Sequence, residues 1–512
     1  MATAHLPPPG SKQEDTAFAR IQERFPSIYR EIFSDPKAPR TVVVMPSMSL
    51  DERELAKIEG VIHYEERMLC LLMLLRLPRT QLIYVTSVPL DPAVVDYYLH
   101  LLPGIPGAHA RERLRLITVD DNSLTPLSKK ILDRTEVLGE LKRSIAFPEA
   151  AHMACFNTTA LEKTMAVQLG IPIYGCDPAL AYLGNKTMSR KIFKQVGLDV
   201  PDGFEDLRDE GDIVDALVAL HERNPRSNEA VIKLNDGFSG EGNAVVPLAI
   251  LDDAAFPEKE ARRILRSEIR FEAKDESWES YLEKFDLMGG ILEVMIEADH
   301  KESPSVQLRI NPLGEVNLVS THDQVLSGPS GQIFQGCSFP ADREYRIHLH
   351  RAGMAVGEEL RDRGVLGRIG VDFVSVPEKG TWRNYAIEIN IRKGGTTLPY
   401  LMLEFLTDGS YDPASGLFFT PTGDSRSYYA TDNLVRDSYR GLYPKELIDS
   451  AVLESLHYHA ASQQGIVFHM LGAVTEFGKI GALSIAPSIR EANRQYAAAV
   501  ETLDAATVGR AS

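Results

Sequence analysis

The hydrophobic pattern of the chain changes near Leu183, from strands that alternate with helices to strands that follow one another. Before this point, the β-branched runs TVVVMPS, QLIYVTSVPL and LRLITVDD are separated by helical stretches, as is typical of a parallel sheet covered by helices. After it, runs such as SVQLRINPLGEVNLVS are joined by tight turns, which indicate antiparallel strands. The chain is therefore predicted to be a multidomain protein with an α/β part and an α+β part.

The length of 512 residues also favours several cores, because a domain usually holds about 100–200 residues. We expect the first residues to form a flexible lead followed by a short helix. The predicted segments are an N-terminal extension (1–40), an α/β domain (41–182), an α+β domain (183–405), a polar and turn-rich linker (406–426) and a small C-terminal domain (427–512).

The formal net charge of −17 argues against nucleic acid as a partner, because nucleic-acid binders usually carry a basic surface. It also argues against an anionic membrane surface. The most apolar run, Met68 to Leu77, is shorter than the roughly 20 residues of a membrane span, and we expect it in a buried helix. The N-terminus has no apolar signal segment, and no Cys-x-x-Cys pair occurs. We therefore expect a reduced, cytoplasmic protein with small-molecule partners. A homodimer is left open.

The strand AIEINI carries polar side chains on one face. Glu388, Asn390 and Arg392 alternate with the isoleucines at 387, 389 and 391, and side chains two residues apart in a strand share a face. We expect the isoleucines in the core. A carboxylate, an amide oxygen and a guanidinium then stand together on the opposite face.

A second carboxylate is predicted to lie opposite the first. Asp372 precedes Gly380 by eight residues and Glu388 follows Gly380 by eight. A hairpin centred on this glycine would pair the two carboxylates, with Cβ atoms about 5 Å apart, whereas a slip of one residue would separate them. Mg²⁺ takes a few carboxylate oxygens and completes its shell with phosphate and water. Asp372, Glu388 and Asn390 are thus candidate metal ligands, and the alternative is a solvent-exposed polar face.

The sequence after this strand, Arg392-Lys393-Gly-Gly-Thr-Thr, adds two cations, flexible backbone and two hydroxyls. Such a set suits anionic groups or a reactive carbonyl.

A glycine-rich loop provides a candidate phosphate site. Lys233 lies in the strand VIKL, and the loop DGFSGEG follows at once with Ser239, Gly240 and Gly242. Glycines let backbone N–H groups approach phosphate oxygens, and a nearby lysine neutralises their charge. The loop is not a Walker A motif, because no Gly-Lys-Ser/Thr sequence follows. An ordinary hairpin turn is the alternative.

Taken in order, these motifs resemble the ATP-grasp superfamily, over residues 183–405. The resemblance implies an ATP-grasp fold, preceded by a Rossmann-like pre-ATP-grasp domain. It also implies that Lys233 and Lys186, which is 47 residues upstream (233 minus 186), contact the nucleotide. Whether Lys186 or Lys191 meets phosphate is left open. The further roles implied are Glu293 near the adenine, Glu297 or Glu302 at the ribose, Asp372, Glu388 and Asn390 at Mg²⁺, and Arg392 with Arg368 at the substrate.

The run EINIRKGGTT and the block GIVFHMLGAVTEFGKIGALSIAPSIREA resemble peptide ligases of the pheganomycin type within this superfamily. The function implied is that of an ATP-dependent carboxylate–amine ligase that uses ATP and Mg²⁺. It forms an acylphosphate, releases ADP and phosphate, and joins an amino-acid-derived carboxylate to the amine of an amino acid or peptide. The alternatives are a kinase on the same fold, with a stable phosphorylated product, and a nucleotide-binding protein without turnover.

Overall fold

The computed structural model describes residues 6–237, 242–252, 255–273, 276–327 and 333–508. These residues form three sheets, of four, five and ten strands. The mixed α/β and α+β architecture is therefore the predicted one. The two larger sheets face each other, and the candidate site lies between them.

The N-terminal part is a parallel sheet covered by helices. Its core includes Val43, Ile83 and Met153 from three neighbouring strands. The strands lie in the order β3-β2-β1-β4, and neighbouring strands pair in parallel. The elements are α1 (Lys12–Glu23), α2 (Phe25–Ser34), β1 (Arg40–Met45), α3 (Glu52–Ala56), β2 (Thr80–Thr86), α4 (Pro92–His100), α5 (Gly107–Glu112), β3 (Leu114–Thr118), α6 (Leu127–Leu132), α7 (Thr135–Ser144), β4 (Ala151–Cys155) and α8 (Ala160–Leu169).

Two local features differ from the expectation. The first 40 residues contain two helices, α1 and α2, which bury Phe18 and Phe25. The apolar run lies in a buried helix as expected, but this helix is a long 3-10 helix, Val61–Arg76, which begins after Gly60 in a left-handed conformation and ends one residue before Leu77. Further 3-10 turns are Pro148–Ala150, Pro178–Gly184, Ala249–Leu251, Asp437–Tyr439 and Leu471–Ala473.

The second sheet, in the order β5-β9-β6-β7-β8, is antiparallel and shares one core with helices α10, α11 and α12. Strands β6 and β7 flank the glycine-rich loop, as predicted. The elements are α9 (Lys186–Gln195), β5 (Gly203–Leu207), α10 (Glu210–Arg223), β6 (Glu229–Leu234), β7 (Asn243–Pro247), α11 (Pro257–Ser267), β8 (Arg270–Phe271), α12 (Trp278–Met288) and β9 (Gly290–Val294).

The third sheet begins β14-β13-β10-β11-β12 and continues into the strands β17, β16 and β15, while β19 pairs with β17 and β18 pairs with β19. The elements are β10 (Pro304–Ile310), β11 (Val316–Ser327), β12 (Ile333–Phe339), α13 (Arg346–Asp362), β13 (Gly367–Glu378), β14 (Thr381–Asn390), α14 (Thr397–Thr407), β15 (Ser410–Asp412), β16 (Leu417–Phe419), β17 (Ser425–Val435), α15 (Pro444–Leu453), β18 (Gly465–His469), α16 (Val474–Phe477), β19 (Lys479–Ala486) and α17 (Ile489–Val508).

The pairing of β12 with β17 joins the C-terminal region to the α+β region through one hydrogen-bonded sheet. The segment 406–426, expected to be a linker, carries β15 and β16 and packs Phe418 into the core. The predicted domain boundary at 427 therefore falls inside β17, within a continuous sheet. We keep it as a proposal about the order of segments along the chain.

Helix α13 approaches the sheet closely because Gly353 has no side chain. A Cβ at Gly353 would lie 2.2 Å from Cγ1 of Val306 on β10. We predict that Gly353→Ala lowers the thermal midpoint by about 2–6 °C, the range expected for an overpacked core position. Gly107, which has no atom within 4 Å of an added Cβ, provides the matched control. Equal shifts for Gly353→Ala and Gly107→Ala in differential scanning calorimetry would contradict the prediction.

Candidate functional site

A cavity of about 310 Å³ lies between the second and third sheets. Its walls come from both sheets, from the 3-10 helix Val61–Arg76 and from β17. The residues that line the cavity include Tyr64, Arg67, Phe156, Lys186, Lys233, Gly237, Glu293, Met295, Ile296, Gln324, Asp372, Ile387, Glu388, Asn390, Arg392, Gly394, Gly395, Thr396 and Asp432.

The β13–β14 hairpin places Asp372 directly opposite Glu388, as the sequence predicted. Its turn is Lys379-Gly380, and both residues have positive φ, 50° and 81°, as a two-residue hairpin turn requires. This turn alone would pair Asp372 with residue 387. A bulge between Asp372 and Phe373 shifts the register by one residue, and the shift brings the two carboxylates together.

The same bulge changes the expected facing of the isoleucines. Ala386 and Ile389, three residues apart, are both buried in the core, whereas Ile387 lines the cavity. The prediction that Ile387 shares the core face with Ile389 is therefore wrong, because strict alternation does not hold across a bulge.

Asp372 is held by two amides. Gln324 donates to its Oδ1 at 3.0 Å and Asn390 donates to its Oδ2 at 2.9 Å. Burial and the nearby charge of Glu388 raise the pKa of Asp372 to about 7. The hairpin thus carries two carboxylates, which repel each other, and an amide oxygen. These oxygen donors suit a hard divalent cation.

The described residues contain no cluster of three or more His, Cys, Asp or Glu side chains that could hold a metal ion. A cation at this hairpin would thus need further oxygen ligands from a phosphate or from water. This is the usual situation for Mg²⁺ in nucleotide sites.

Lys186 is the lysine of α9 that lines the cavity, and it forms an ion pair with Glu388. Burial raises the pKa of Glu388, but Lys186 and Arg392 outweigh it, so that the pKa is lowered overall. Helix α9 is attached to β14, the strand that carries Glu388, because the N–H of Ile389 donates to Oγ of Ser189 at 3.1 Å. Lys191 instead pairs with Asp206 at the surface, at 2.6 Å. It does not line the cavity, because it lies more than one helical turn further along α9.

Lys233 also lines the cavity, and it forms a buried ion pair with Glu293. The second oxygen of Glu293 accepts from Nη1 of Arg190 at 2.7 Å. The side chain of Arg190 is only 1% exposed. Gly237 and Gly242 meet at the base of the loop, where a Cβ on Gly237 would lie 3.3 Å from Cα of Gly242. Ser239 and Gly240, the other predicted loop residues, lie outside the described residues.

The structure separates Glu293, predicted near the adenine, from Glu297 and Glu302, predicted at the ribose. Glu293 lines the cavity near the end of β9, and Met295 and Ile296 continue the wall. Glu302 does not line the cavity, and its carboxylate lies 3.4 Å from His300. Glu297 accepts two hydrogen bonds from Asn228 on the surface, at 3.0 and 2.6 Å.

Arg392 lies in the wall next to the metal hairpin, followed by Gly394, Gly395 and Thr396. Thr396 immediately precedes α14, so the N-terminus of this helix is close to the cavity, where the helix dipole favours an anionic group. Lys393, expected beside Arg392, turns away and donates to the carbonyl oxygen of Cys155.

Arg368 shares a face of β13 with Asp372, but it is four residues away, or roughly 13 Å along a strand. It pairs in register with Arg309 on β10 and does not line the cavity. Burial lowers the pKa of its guanidinium. The structure therefore does not bring Arg368 to the predicted catalytic position.

Several cavity residues come from parts of the chain that no local motif marked. Tyr64 and Arg67 belong to the 3-10 helix, Gln324 to β11 and Asp432 to β17. Their roles depend on contacts between distant segments, and a single sequence carries little signal for such contacts.

The comparisons with known proteins agree with this geometry. Residues 266–414 match the family model described as IQCH-like, ATP-grasp, and residues 446–499 match the model described as PGM1 C-terminal domain. The L-propargylglycine–L-glutamate ligase of Streptantibioticus cattleyicolor is 29% identical over 497 residues, which are 95% of this chain and 98% of that protein.

Two solved structures share the fold. A beta-gamma-ATP complex of biotin carboxylase from Campylobacter jejuni has a TM-score of 0.53 at 12% identity and covers 92% of this chain and 95% of its own. The biotin carboxylase domain of Hydrogenobacter thermophilus 2-oxoglutarate carboxylase, solved with MgADP and bicarbonate, has a TM-score of 0.53 at 13% identity, with 90% of each chain covered.

The chain has an ATP-grasp fold, with a parallel α/β domain before it and a PGM1-type region after it. The predicted fold is confirmed, and the relative that matches nearly the whole chain is a ligase. Among the described residues, no helix is long and apolar enough to cross a membrane.

We predict that the double variant Asp372→Asn, Glu388→Gln lowers the rate of ADP release by roughly 100-fold or more. Loss of a bound cation removes several kcal/mol of charge stabilisation. Glu378→Gln, an exposed position on the same hairpin, should leave the rate within about twofold, as a surface change usually does. A coupled assay for ADP measures both, and a double variant with the wild-type rate would refute the metal assignment.

A second prediction separates the two lysines of α9. Lys186→Met should raise KM for ATP by roughly tenfold or more, because a charge-assisted contact is worth about 1.5–3 kcal/mol. Lys191→Met removes a solvent-exposed ion pair and should change KM little. Steady-state kinetics at varied ATP concentration measures the difference, and equal effects would show that the positions are not distinguished by the site.

Proposed function

We propose that the enzyme joins an amino-acid-derived carboxylate to the amine of an amino acid or peptide, using ATP with Mg²⁺. The observation that carries this proposal is the arrangement of charges around one cavity. Asp372 and Glu388 face each other in register, Lys186 and Lys233 supply two cations, and Arg392 stands beyond the carboxylates.

The nucleotide would lie along the second sheet. Met295 and Ile296 would contact the base at the end of β9, and Lys233 and Lys186 would neutralise phosphate oxygens. Each lysine holds a carboxylate partner, Glu293 or Glu388. Each carboxylate holds the ammonium group that it pairs with and offsets part of the free energy needed to bury that charge.

Asp372, Glu388 and Asn390 would hold the Mg²⁺. When bound, the ion supplies charge neutralisation at the phosphates. The amide donors of Gln324 and Asn390 orient Asp372 at 3.0 and 2.9 Å, so its carboxylate is set before any ligand arrives. Such preorganisation keeps small the cost of reorganising the site during the reaction.

In the first step, an oxygen of the substrate carboxylate attacks the γ-phosphorus of ATP, the bond to the bridging oxygen breaks, and ADP leaves. In the second step, the nitrogen of a neutral amine attacks the acyl carbon, phosphate leaves with the electron pair, and the nitrogen loses a proton. Arg392 and the N-terminus of α14 would stabilise the negative charge that develops on the acyl oxygens. Neither step needs a protein nucleophile.

The proposal extends to the substrates, the cellular compartment and the oligomeric state. The relative in Streptantibioticus cattleyicolor is named for two amino acids, propargylglycine and glutamate, and we propose small amino-acid substrates here in the same class, within natural-product biosynthesis. We also propose that the enzyme acts in the cytoplasm. A homodimer can be tested by light scattering over a range of protein concentrations.

The expected products separate this function from its alternatives. With a suitable carboxylate and hydroxylamine in place of the amine, the enzyme should yield a hydroxamate together with ADP and phosphate, because hydroxylamine traps an acylphosphate. Mass spectrometry and a coupled ADP assay measure the products. A stable phosphorylated product without hydroxamate would indicate a kinase, and AMP with pyrophosphate would contradict the acylphosphate route. The double variant Asp372→Asn, Glu388→Gln is the negative control.

A further inference from the structure

Part of the cavity wall is formed by an ion pair between two segments that are distant in the chain. Arg67, on the 3-10 helix, lies 2.9 Å from Asp432, on β17. Their side chains are only 6% and 11% exposed, yet both line the cavity. The cavity wall therefore presents a cation, Arg67, and an anion, Asp432, side by side.

Aromatic rings hold the guanidinium in place. The Cζ atom of Arg67 lies 5.1 Å from the ring centre of Tyr64 and 5.2 Å from that of Phe156. Both distances are within the range of cation–π attraction. Tyr64 and Phe156 also line the cavity, so a ligand next to Arg67 would touch apolar ring surface as well as charge.

Asp432 is held as firmly from the other side. The Nε2–H of His469 donates to its Oδ1 at 2.8 Å. Burial would raise the pKa of Asp432, but Arg67, His469 and Lys479 outweigh it, and the pKa falls to about 2. The carboxylate is therefore an anion at every working pH, which suits the binding of a cation and not the removal of a proton.

The protein does not use all the bonding capacity of this pair. Nη2 of Arg67 meets Oδ2 of Asp432 at 2.9 Å, and Oδ1 of Asp432 accepts from His469. A guanidinium has five N–H donors and a carboxylate accepts about four hydrogen bonds. Nε of Arg67 is buried and out of reach of a ligand, but both side chains line the cavity, where the other N–H groups of Arg67 and the remaining acceptor sites of Asp432 can each take a partner of opposite charge.

A second feature argues against a role in stability alone. Glu66, the neighbour of Arg67, also connects the 3-10 helix to the C-terminal region, because it accepts from the N–H of Gly472 at 3.0 Å. Glu66 is 4% exposed and does not line the cavity. The same two regions are thus linked by a residue away from the site, whereas Arg67 and Asp432 are placed at its wall.

We propose that Arg67 and Asp432 recognise the head group of an α-amino acid, with its carboxylate on Arg67 and its ammonium on Asp432. The assignment rests on the proposed function for its place in the reaction. A head group bound in this way remains doubly ionised, and an ammonium has no electron pair with which to attack. The reacting atom then belongs to another group of the same substrate. Arg392 lines the same cavity.

The test measures binding, so that its failure differs from failure of the reaction. The probes are the L-amino acids, together with the analogue of each binder that lacks the ammonium and the analogue that lacks the α-carboxylate. Their dissociation constants are measured by calorimetry on the full-length protein with MgADP. We expect at least one amino acid to bind, and each of its analogues to bind roughly tenfold or more weakly, since each loses a charged hydrogen bond.

The variants assign this discrimination to the two residues. Asp432→Asn should bind the amino acid and its deamino analogue with affinities within about twofold, and Arg67→Met should do the same for the decarboxy analogue, because each lacks the matching charge. Glu66→Gln, the matched control, should keep both ratios while its thermal midpoint falls.

Three results would overturn the proposal. The wild-type protein binds no amino acid, it binds the amino acid and the analogues equally, or Asp432→Asn keeps the wild-type ratio. The first two use the wild-type protein and so hold even where a variant does not fold. If the hydroxamate assay fails while the discrimination is found, the proposed reaction is wrong and the head-group site stands.

Discussion

Asp372 and Glu388 lie opposite each other because the β13–β14 hairpin contains a bulge, and much of the site follows from this pairing. The turn Lys379-Gly380 alone would have set Glu388 one position out of register with Asp372. The bulge costs one regular ladder position and turns Ile387 into the cavity. In return, two like charges are forced together in a half-buried strand pair, where a cation is the natural partner.

The neighbouring cations depend on the same pairing. Lys186 reaches Glu388 only because α9 is attached to β14 through Ser189 and the backbone of Ile389. On the opposite wall, Lys233 and Arg190 share Glu293. Lys186 and Lys233 are thus each held by an acid in the protein itself, and the two sheets present a cavity whose charges are already arranged before a substrate arrives.

The sequence predicted the features that depend on local pattern. The strand–loop–strand around Lys233 and the parallel N-terminal sheet follow from alternation, glycine and spacing. The pairing of Asp372 with Glu388 was predicted from a hairpin centred on Gly380, whereas the structure reaches it through a Lys379-Gly380 turn and a bulge. The choice between Lys186 and Lys191, and the distance of Arg368 from the cavity, could not be predicted because periodicity gives the face of an element but not how far along it the cavity extends. Ile387 was misplaced because a bulge has no reliable signature in one sequence.

Arg67 and Asp432 were out of reach for a related reason. They are separated by more than 360 positions in the chain, 432 minus 67, and neither belongs to a recognisable motif. Their contact exists only because β17 pairs with β12 and because the 3-10 helix packs against the C-terminal strands. Tertiary packing of this kind decides much of a binding site and leaves no local pattern to read.

The continuity of the third sheet from β14 to β17 has a consequence for how this enzyme can change over evolution. The strand that carries Asp432 is hydrogen-bonded to the sheet that carries Asp372. A C-terminal region exchanged as a separate module would break the ladder at β12 and expose an edge. Selectivity at this wall is therefore expected to diverge by point substitution within a conserved frame, and recombination at the apparent domain boundary would produce chains that fold poorly.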